Sequence, residues 1–135
     1  MIALDTSVAV AAALPWHEHH VAARAKLPRT KPRLIAQVAV ETYSVLTRLP
    51  PPQRVPAPGA RAFLKETFAL PPLVLSPSGY DELLDLAAER DITGGAIYDA
   101  LVAAAAREAG ATLLSLDRHA IATYHLLQID YQVVS

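Results

Sequence analysis

Four carboxylates in this chain stand where carboxylates are costly. Asp5 in IALDTS, Glu41 in VAVETYSVL, Asp99 in AIYDALV and Asp117 in LLSLDR each have apolar neighbours. Most of the thirteen acids lie instead in polar company: Glu18 among histidines, Asp81, Glu82 and Asp85 on one stretch, Glu108 after Arg107. Those read as solvated faces. Asp130 in LQIDYQ is a weaker fifth candidate and reads as a turn. A buried carboxylate costs several kcal/mol unless something compensates it. For Asp99 alone, two readings stand: a first-turn position favoured by the helix dipole, or a metal ligand with partners elsewhere. For all four, gathering is the harder problem, because two carboxylates about 5 Å apart repel by roughly 3 kcal/mol at an effective dielectric near 20. Four together need a cation. All-oxygen ligation suits Mg²⁺ or Mn²⁺, with waters and substrate phosphates in the remaining positions. Such a centre orients and deprotonates water and takes up charge at phosphorus. That is phosphoryl-transfer chemistry, above all hydrolysis of nucleic-acid phosphodiesters.

The elements that must position these acids alternate. A short apolar strand, Ile2-Ala3-Leu4, ends at Asp5, and Thr6 or Ser7 can cap a helix running to about Leu14 before Pro15. A second helix is expected over 17–27, with Val21, Ala22 and Ala25 inward, and a second strand over 34–36. A third helix spans 38–49 and stops at three prolines; residues 50–58 hold five prolines and must be an extended loop. A helix over 60–68, a strand over 73–75 and a Ser78-capped helix over 80–89 follow. The alanine-rich helix carrying Asp99 has Thr93 as its N-cap and Gly110 as its stop. A strand over 112–116 ends at Asp117, then come a helix over 120–126 and a strand over 131–134. Short apolar strands alternating with helices imply a mostly parallel sheet covered on both faces. Sites in such sheets form at the carboxyl ends of strands, where Asp5 and Asp117 both fall.

The totals exclude several classes. With 135 residues, 53% of them hydrophobic, the chain suits one domain, 1–135, with a sizeable core. It has no cysteine, which removes disulfides, thiolate catalysis and Cys-ligated zinc. No apolar run approaches a membrane span of about 20 residues. The first fourteen residues lack the basic start of a signal peptide, and Asp5 interrupts them, so a cytoplasmic location is expected. The net charge of −1 hides an asymmetry: residues 24–65 carry a net +8, residues 66–135 a net −7 and residues 1–23 a net −2. A basic segment of that kind suggests a polyanion or an acidic partner.

The opening MIALDTS, the helix GGAIYDALVAAAA and the strand-plus-acid LLSLDRHA resemble the PIN domain, and more narrowly the VapC ribonuclease toxins of bacterial toxin–antitoxin pairs. The resemblance covers the whole chain in order. It implies that Asp5, Glu41, Asp99 and Asp117 are the catalytic and metal-ligating acids, with Thr6, Ser7 and Ser115 as hydrogen-bonding supports. Ser115 stands where the family more often has Thr, and the proline-rich 50–58 loop is unusual for it. Also implied are a three-layer α/β/α fold with a mostly parallel central sheet, a homodimer, Mg²⁺- or Mn²⁺-dependent endoribonuclease activity, and a cognate VapB-type antitoxin. The basic residues Arg24, Lys26, Arg29, Lys31 and Arg33 would then hold the RNA backbone. The rival reading is a non-catalytic PIN-like module that binds RNA or protein, which metal titration separates from the enzyme.

Other constellations are weaker. His17 and His20 in WHEHH fall one helical turn apart and could bind zinc, although a surface helix start explains them as well. No pattern links Ser7 and His119 into a triad, and neither G-x-G-x-x-G nor G-x-x-x-x-G-K occurs. A phospho-accepting receiver domain would want an acid after the strand over 73–75 and a Lys after LLSL, and a D-x-D phosphatase an acid at position 7, where Ser stands. Tyr43, Tyr98 and Phe63 read as core aromatics.

Overall fold

Two consecutive residues in each of two strands fix the layer arrangement. Ala3 and Leu4 in β1 (Ile2–Leu4), and Leu113 and Leu114 in β3 (Thr112–Ser115), are all 0% exposed. Neighbouring strand residues point to opposite faces, so both faces of the sheet are covered. The computed structural model describes the backbone of residues 1–135 and every side chain but that of Pro28. Its sheet is wholly parallel, in the order β2-β1-β3-β4, with β2 at Arg33–Leu34 and β4 at Tyr131–Val133. The register places Leu4 beside Leu34 on one side and Leu114 on the other.

The connections run in opposite directions. From β1 the chain passes through α1 (Thr6–Ala13) and α2 (His20–Thr30) to β2, whereas from β3 it passes through α7 (Arg118–Leu126) to β4 on the other side. Parallel crossovers are right-handed, so the two excursions lie on opposite faces. On one side α1 packs against α2 and α3 (Ala36–Thr47), and α3 packs against α4 (Ala57–Thr67). On the other, α6 (Ala96–Glu108) packs between α5 (Pro77–Glu89) and α7. The point where the strand order reverses, between the carboxyl ends of β1 and β3, is where a parallel sheet opens a crevice.

Several expected boundaries shift for local reasons. Asp5, rather than Thr6 or Ser7, caps α1, its side chain accepting from the Val8 N–H. Residues 15–19 form turns after Pro15, so α2 starts at His20; among its described residues Ala23 is buried and Ala22 half-buried, while Val21 is 81% exposed and Ala25 is exposed. The proline loop ends early, because Pro58 sits in the first turn of α4, where a missing N–H costs nothing. No strand forms over 73–75: Leu73 alone bridges to Ile35, between Pro71-Pro72, which cannot donate, and Pro77, which starts α5. Ser76, not Ser78, caps α5. Gly95 takes the N-cap position of α6 in place of Thr93, and Gly110 follows its end at φ 69°. Tyr43 and Tyr98 are exposed, so neither is a core residue.

Candidate active site

Each candidate acid is placed by the way its element begins. Asp5 is the residue at which β1 becomes α1, and Asp117 the residue at which the chain leaving β3 becomes α7; both act as N-caps. An Asp at such a junction satisfies free helix N–H groups with one oxygen, and the second oxygen remains for a further partner. The Asp117 carboxylate accepts from the N–H groups of His119 (2.9 Å) and Ala120 (3.3 Å). Asp99 lies in the first turn of α6, and Glu41 in the middle of α3. All four carboxylates line one cleft of about 520 Å³ at the carboxyl edge of the sheet.

The hydroxyl groups hold this arrangement. Ser7 donates to Asp5 Oδ1 and accepts the Leu116 N–H at 2.8 Å, tying the start of α1 to the chain leaving β3. Thr6 Oγ1 donates to Glu41 Oε2 at 2.7 Å, joining α1 to α3. Ser115 is fully buried, its Oγ accepting the Asp117 N–H at 3.1 Å. Two further supports carry no signal in the sequence. Tyr124 donates from its hydroxyl to Asp5 Oδ2 at 3.0 Å, and Gln37 donates to Glu41 Oε1 at 2.8 Å. A Tyr in ATYHL looks like any core aromatic; only the packing of α7 over β3 turns its hydroxyl toward Asp5.

The electrostatics follow from burial and crowding. Asp5 is 4% exposed, and desolvation raises its pKa, while hydrogen bonds from Ser115, Ser7, Tyr124 and the Val8 N–H pull it back. Asp99 is pushed up to about 6, first by burial and then by the charges of Asp117, Glu41 and Asp5, with His119 opposing. Tyr124 is held protonated, by burial first and by Asp5 next. Asp99 therefore senses the other three acids across the cleft.

The donor set fits a hard divalent cation: four carboxylates, no sulfur, and hydrogen-bonded supports behind Asp5, Glu41 and Asp117. Among the described residues, no three His, Asp or Glu side chains already stand at ligand spacing. A cation must therefore draw in side chains; Asp99 is half-buried on α6, whereas Glu41 is held by Thr6 and Gln37.

The remaining expected residues divide. His17 and His19 line the same cleft, as does Glu18, which the sequence placed among solvated acids. His20 does not join them; its Nδ1 pairs with the Ala11 carbonyl at 2.9 Å, so the expected His17–His20 pair is not formed. Arg24 and Arg29 are exposed on α2, and Lys26 is half-buried there. Lys31 and Arg33 lead into the amino end of β2, and the Arg33 guanidinium donates to the Pro71 carbonyl at 2.9 Å. Asp130 accepts from the Thr112 hydroxyl, as a turn residue before β4 would. Among the described residues no helix is long and apolar enough to cross a membrane.

A PIN-domain family model matches residues 2–126. Ribonuclease VapC40 of Mycobacterium tuberculosis is 49% identical over 135 residues, covering 100% of both chains. The structure of VapC20 of the same organism, described as a sarcin-ricin loop cleaving toxin, superposes with a TM-score of 0.71 at 19% identity, over 90% of this chain and 94% of that one. VapBC2 from Rickettsia felis, solved bound to a DNA fragment from their promoter, gives a TM-score of 0.71 at 18% identity, over 100% of both chains. At those identities the two structures speak for the fold, while the family match and the full-length relative speak for descent. The chain belongs to the PIN-domain family, and within it to the VapC ribonucleases.

Proposed function

We propose that the protein is a divalent-metal-dependent endoribonuclease, the toxin of a VapBC-type pair, and that Asp5, Glu41, Asp99 and Asp117 are its catalytic acids. The observation that carries this is the convergence of all four carboxylates on one cleft, with Asp99 raised to about 6 by burial and by the other three. Mg²⁺ or Mn²⁺ bound there would supply an activated water and take up charge on the phosphate. The chain's own residues do the rest. Asp5 stays fixed because Ser7, Tyr124 and the Val8 N–H hold both its oxygens. Thr6 and Gln37 orient Glu41, and Ser115 fixes the backbone at Asp117. Asp99, whose carboxyl is raised by burial and by the other three acids, would complete the ligand set from α6. Arg24, Lys26, Arg29, Lys31 and Arg33 are the proposed contacts to the RNA backbone. A VapB-type antitoxin is the proposed partner and a homodimer the proposed assembly. The test is Asp99→Asn, which keeps the side-chain volume and removes the charge. It should lose about 100-fold or more of RNA cleavage in Mg²⁺ or Mn²⁺, as loss of a metal-organising group does. Wild-type rates in that variant, with chelator controls, would overturn the four-acid site. Mapping new 5′ ends in cellular RNA after brief induction would name the substrate.

A further inference from the structure

The cleft walls hold five carboxylates, Glu18 included, and among the described residues no Lys or Arg. A polyanionic substrate entering such a cleft must find donors and apolar faces elsewhere on its rim. The rim segment that supplies them is the turn between α1 and α2, residues 14–19, which carries Trp16, His17 and His19. We propose that this turn is a single-stranded RNA contact: Trp16 stacks on a nucleobase, and His17 donates from Nε2 to the sugar–phosphate backbone beside the acids. The proposal rests on the ribonuclease reading above and adds the surface that holds the substrate at the cleft.

Three features carry it. Trp16 is 58% exposed and directly precedes His17, which lines the cleft. Its ring centroid lies 6.4 Å from that of His17 at 33°, and His17 lies 5.8 Å from His19 at 45°, so three rings follow one another along the rim. Unstacked bases of single-stranded RNA are bound on such aromatic faces. Second, His17 Nδ1 accepts the His19 N–H at 3.1 Å. The neutral ring therefore carries its proton on Nε2 and is a donor without needing a positive charge. Third, the turn is pinned: the His17 N–H bonds the Leu14 carbonyl at 3.0 Å, the His20 N–H bonds the His17 carbonyl at 3.0 Å, and the His20 ring holds Ala11. Little ordering is left to do when RNA arrives, which favours affinity.

Trp16 is the sole tryptophan, so its emission reports on this turn alone. The experiment titrates a mixed-sequence single-stranded RNA of about twelve nucleotides, within the span such surfaces cover, into the Asp99→Asn protein, following tryptophan emission and the anisotropy of labelled RNA. Emission should be quenched in step with the anisotropy. In the otherwise wild-type enzyme, Trp16→Ala should raise KM about tenfold, the loss falling on KM rather than kcat, as one lost base–aromatic stack predicts. Trp16→Tyr should restore most of it. His17→Ala should raise KM several-fold, and His17→Gln, which keeps an N–H donor, should recover part. Emission that stays constant while RNA binds, or Trp16→Ala cleaving with wild-type KM, overturns the proposal and leaves the acid site standing. A wild-type protein that cuts no RNA with Mg²⁺ or Mn²⁺ overturns the ribonuclease reading and this proposal together.

Discussion

Asp99 and Asp5 differ in what holds them, and the difference predicts opposite responses to mutation. Among the described residues nothing donates a hydrogen bond to Asp99, whereas Asp5 accepts from Ser7, Tyr124 and Val8. The Asp99 carboxyl ionises near 3.8 in an unfolded chain and near 6 in the folded one. Between those values the folded chain keeps a proton that the unfolded chain has released, so stability falls as pH rises through that window. Asp5, also raised, acts in the same direction. Asp99→Asn removes the raised group and one repelling charge. In chelator near neutral pH, the variant should melt at or above the wild type, and it should gain less from added Mn²⁺, which stabilises by binding the folded form. A clearly lower melting temperature in chelator would mean that a bonding partner holds Asp99. Tyr124→Phe should do the reverse. It strips a donor from a buried carboxylate, so it should cost about 1–3 kcal/mol near neutral pH and weaken apparent Mn²⁺ affinity about tenfold. Equal stability and equal Mn²⁺ titration in Tyr124→Phe would show that the 3.0 Å contact contributes nothing. The four acids were legible because each broke an apolar pattern. Tyr124 and Gln37 were not, because a hydroxyl or amide turned toward a carboxylate leaves no periodicity to detect.

At the scale of elements, the strands that end in an acid were readable, since three or four apolar residues followed by Asp admit few other structures. What failed was the segment over 73–75, because pairing is a property of two strands and Pro71-Pro72 leaves the second one few donors. The contact between α5 and α6 was equally hidden. Glu108, which the sequence assigned to solvent, reaches across to the start of α5, accepting from the Ser76 N–H at 2.9 Å and from the Ser76 hydroxyl. Gly79 makes that approach possible: a Cβ there would lie 2.6 Å from Leu75 Cδ1 and 2.9 Å from Glu108 Oε1. Gly79→Ala therefore sets two effects against each other. Alanine gains about 1 kcal/mol of helix propensity over glycine, and overpacking costs about 1–3 kcal/mol. Leu75 is buried and Glu108 is committed to the Ser76 cap, so neither can yield cheaply. The variant should lose about 1 kcal/mol net and melt several degrees lower. A rise in melting temperature would show that propensity wins and that the helices can separate. Because α6 carries Asp99, the same variant should also lower apparent Mn²⁺ affinity.

Across the whole molecule, the sequence revealed a charge asymmetry but not where the charge goes. Several basic side chains are already engaged: Arg33 with the Pro71 carbonyl, Arg54 with the Leu49 carbonyl and Arg48 with the Ser44 hydroxyl. Arg24, Arg29 and Lys31 are exposed along α2 and its end. This helix begins beside the cleft-lining His19 and leads away from it. At 1.5 Å per residue, Arg24 and Arg29 lie about 7.5 Å and about 15 Å along the axis from His19. The RNA contacts proposed for this helix are therefore Arg24, Arg29 and, at its far end, Lys31. Each single-strand phosphate contact contributes about 0.7 to the slope of log affinity against log salt. Reversing Arg24, Arg29 and Lys31 to Glu in the Asp99→Asn background should weaken RNA binding and reduce that slope by about 2. The weakening should be uniform across RNA sequences, because phosphate contacts carry no base identity. A variant that binds more weakly with an unchanged slope would have lost shape rather than charge contacts. One that binds as the parent does at every salt concentration would place the RNA on another face, and the basic helix would then be the surface that meets an acidic protein partner.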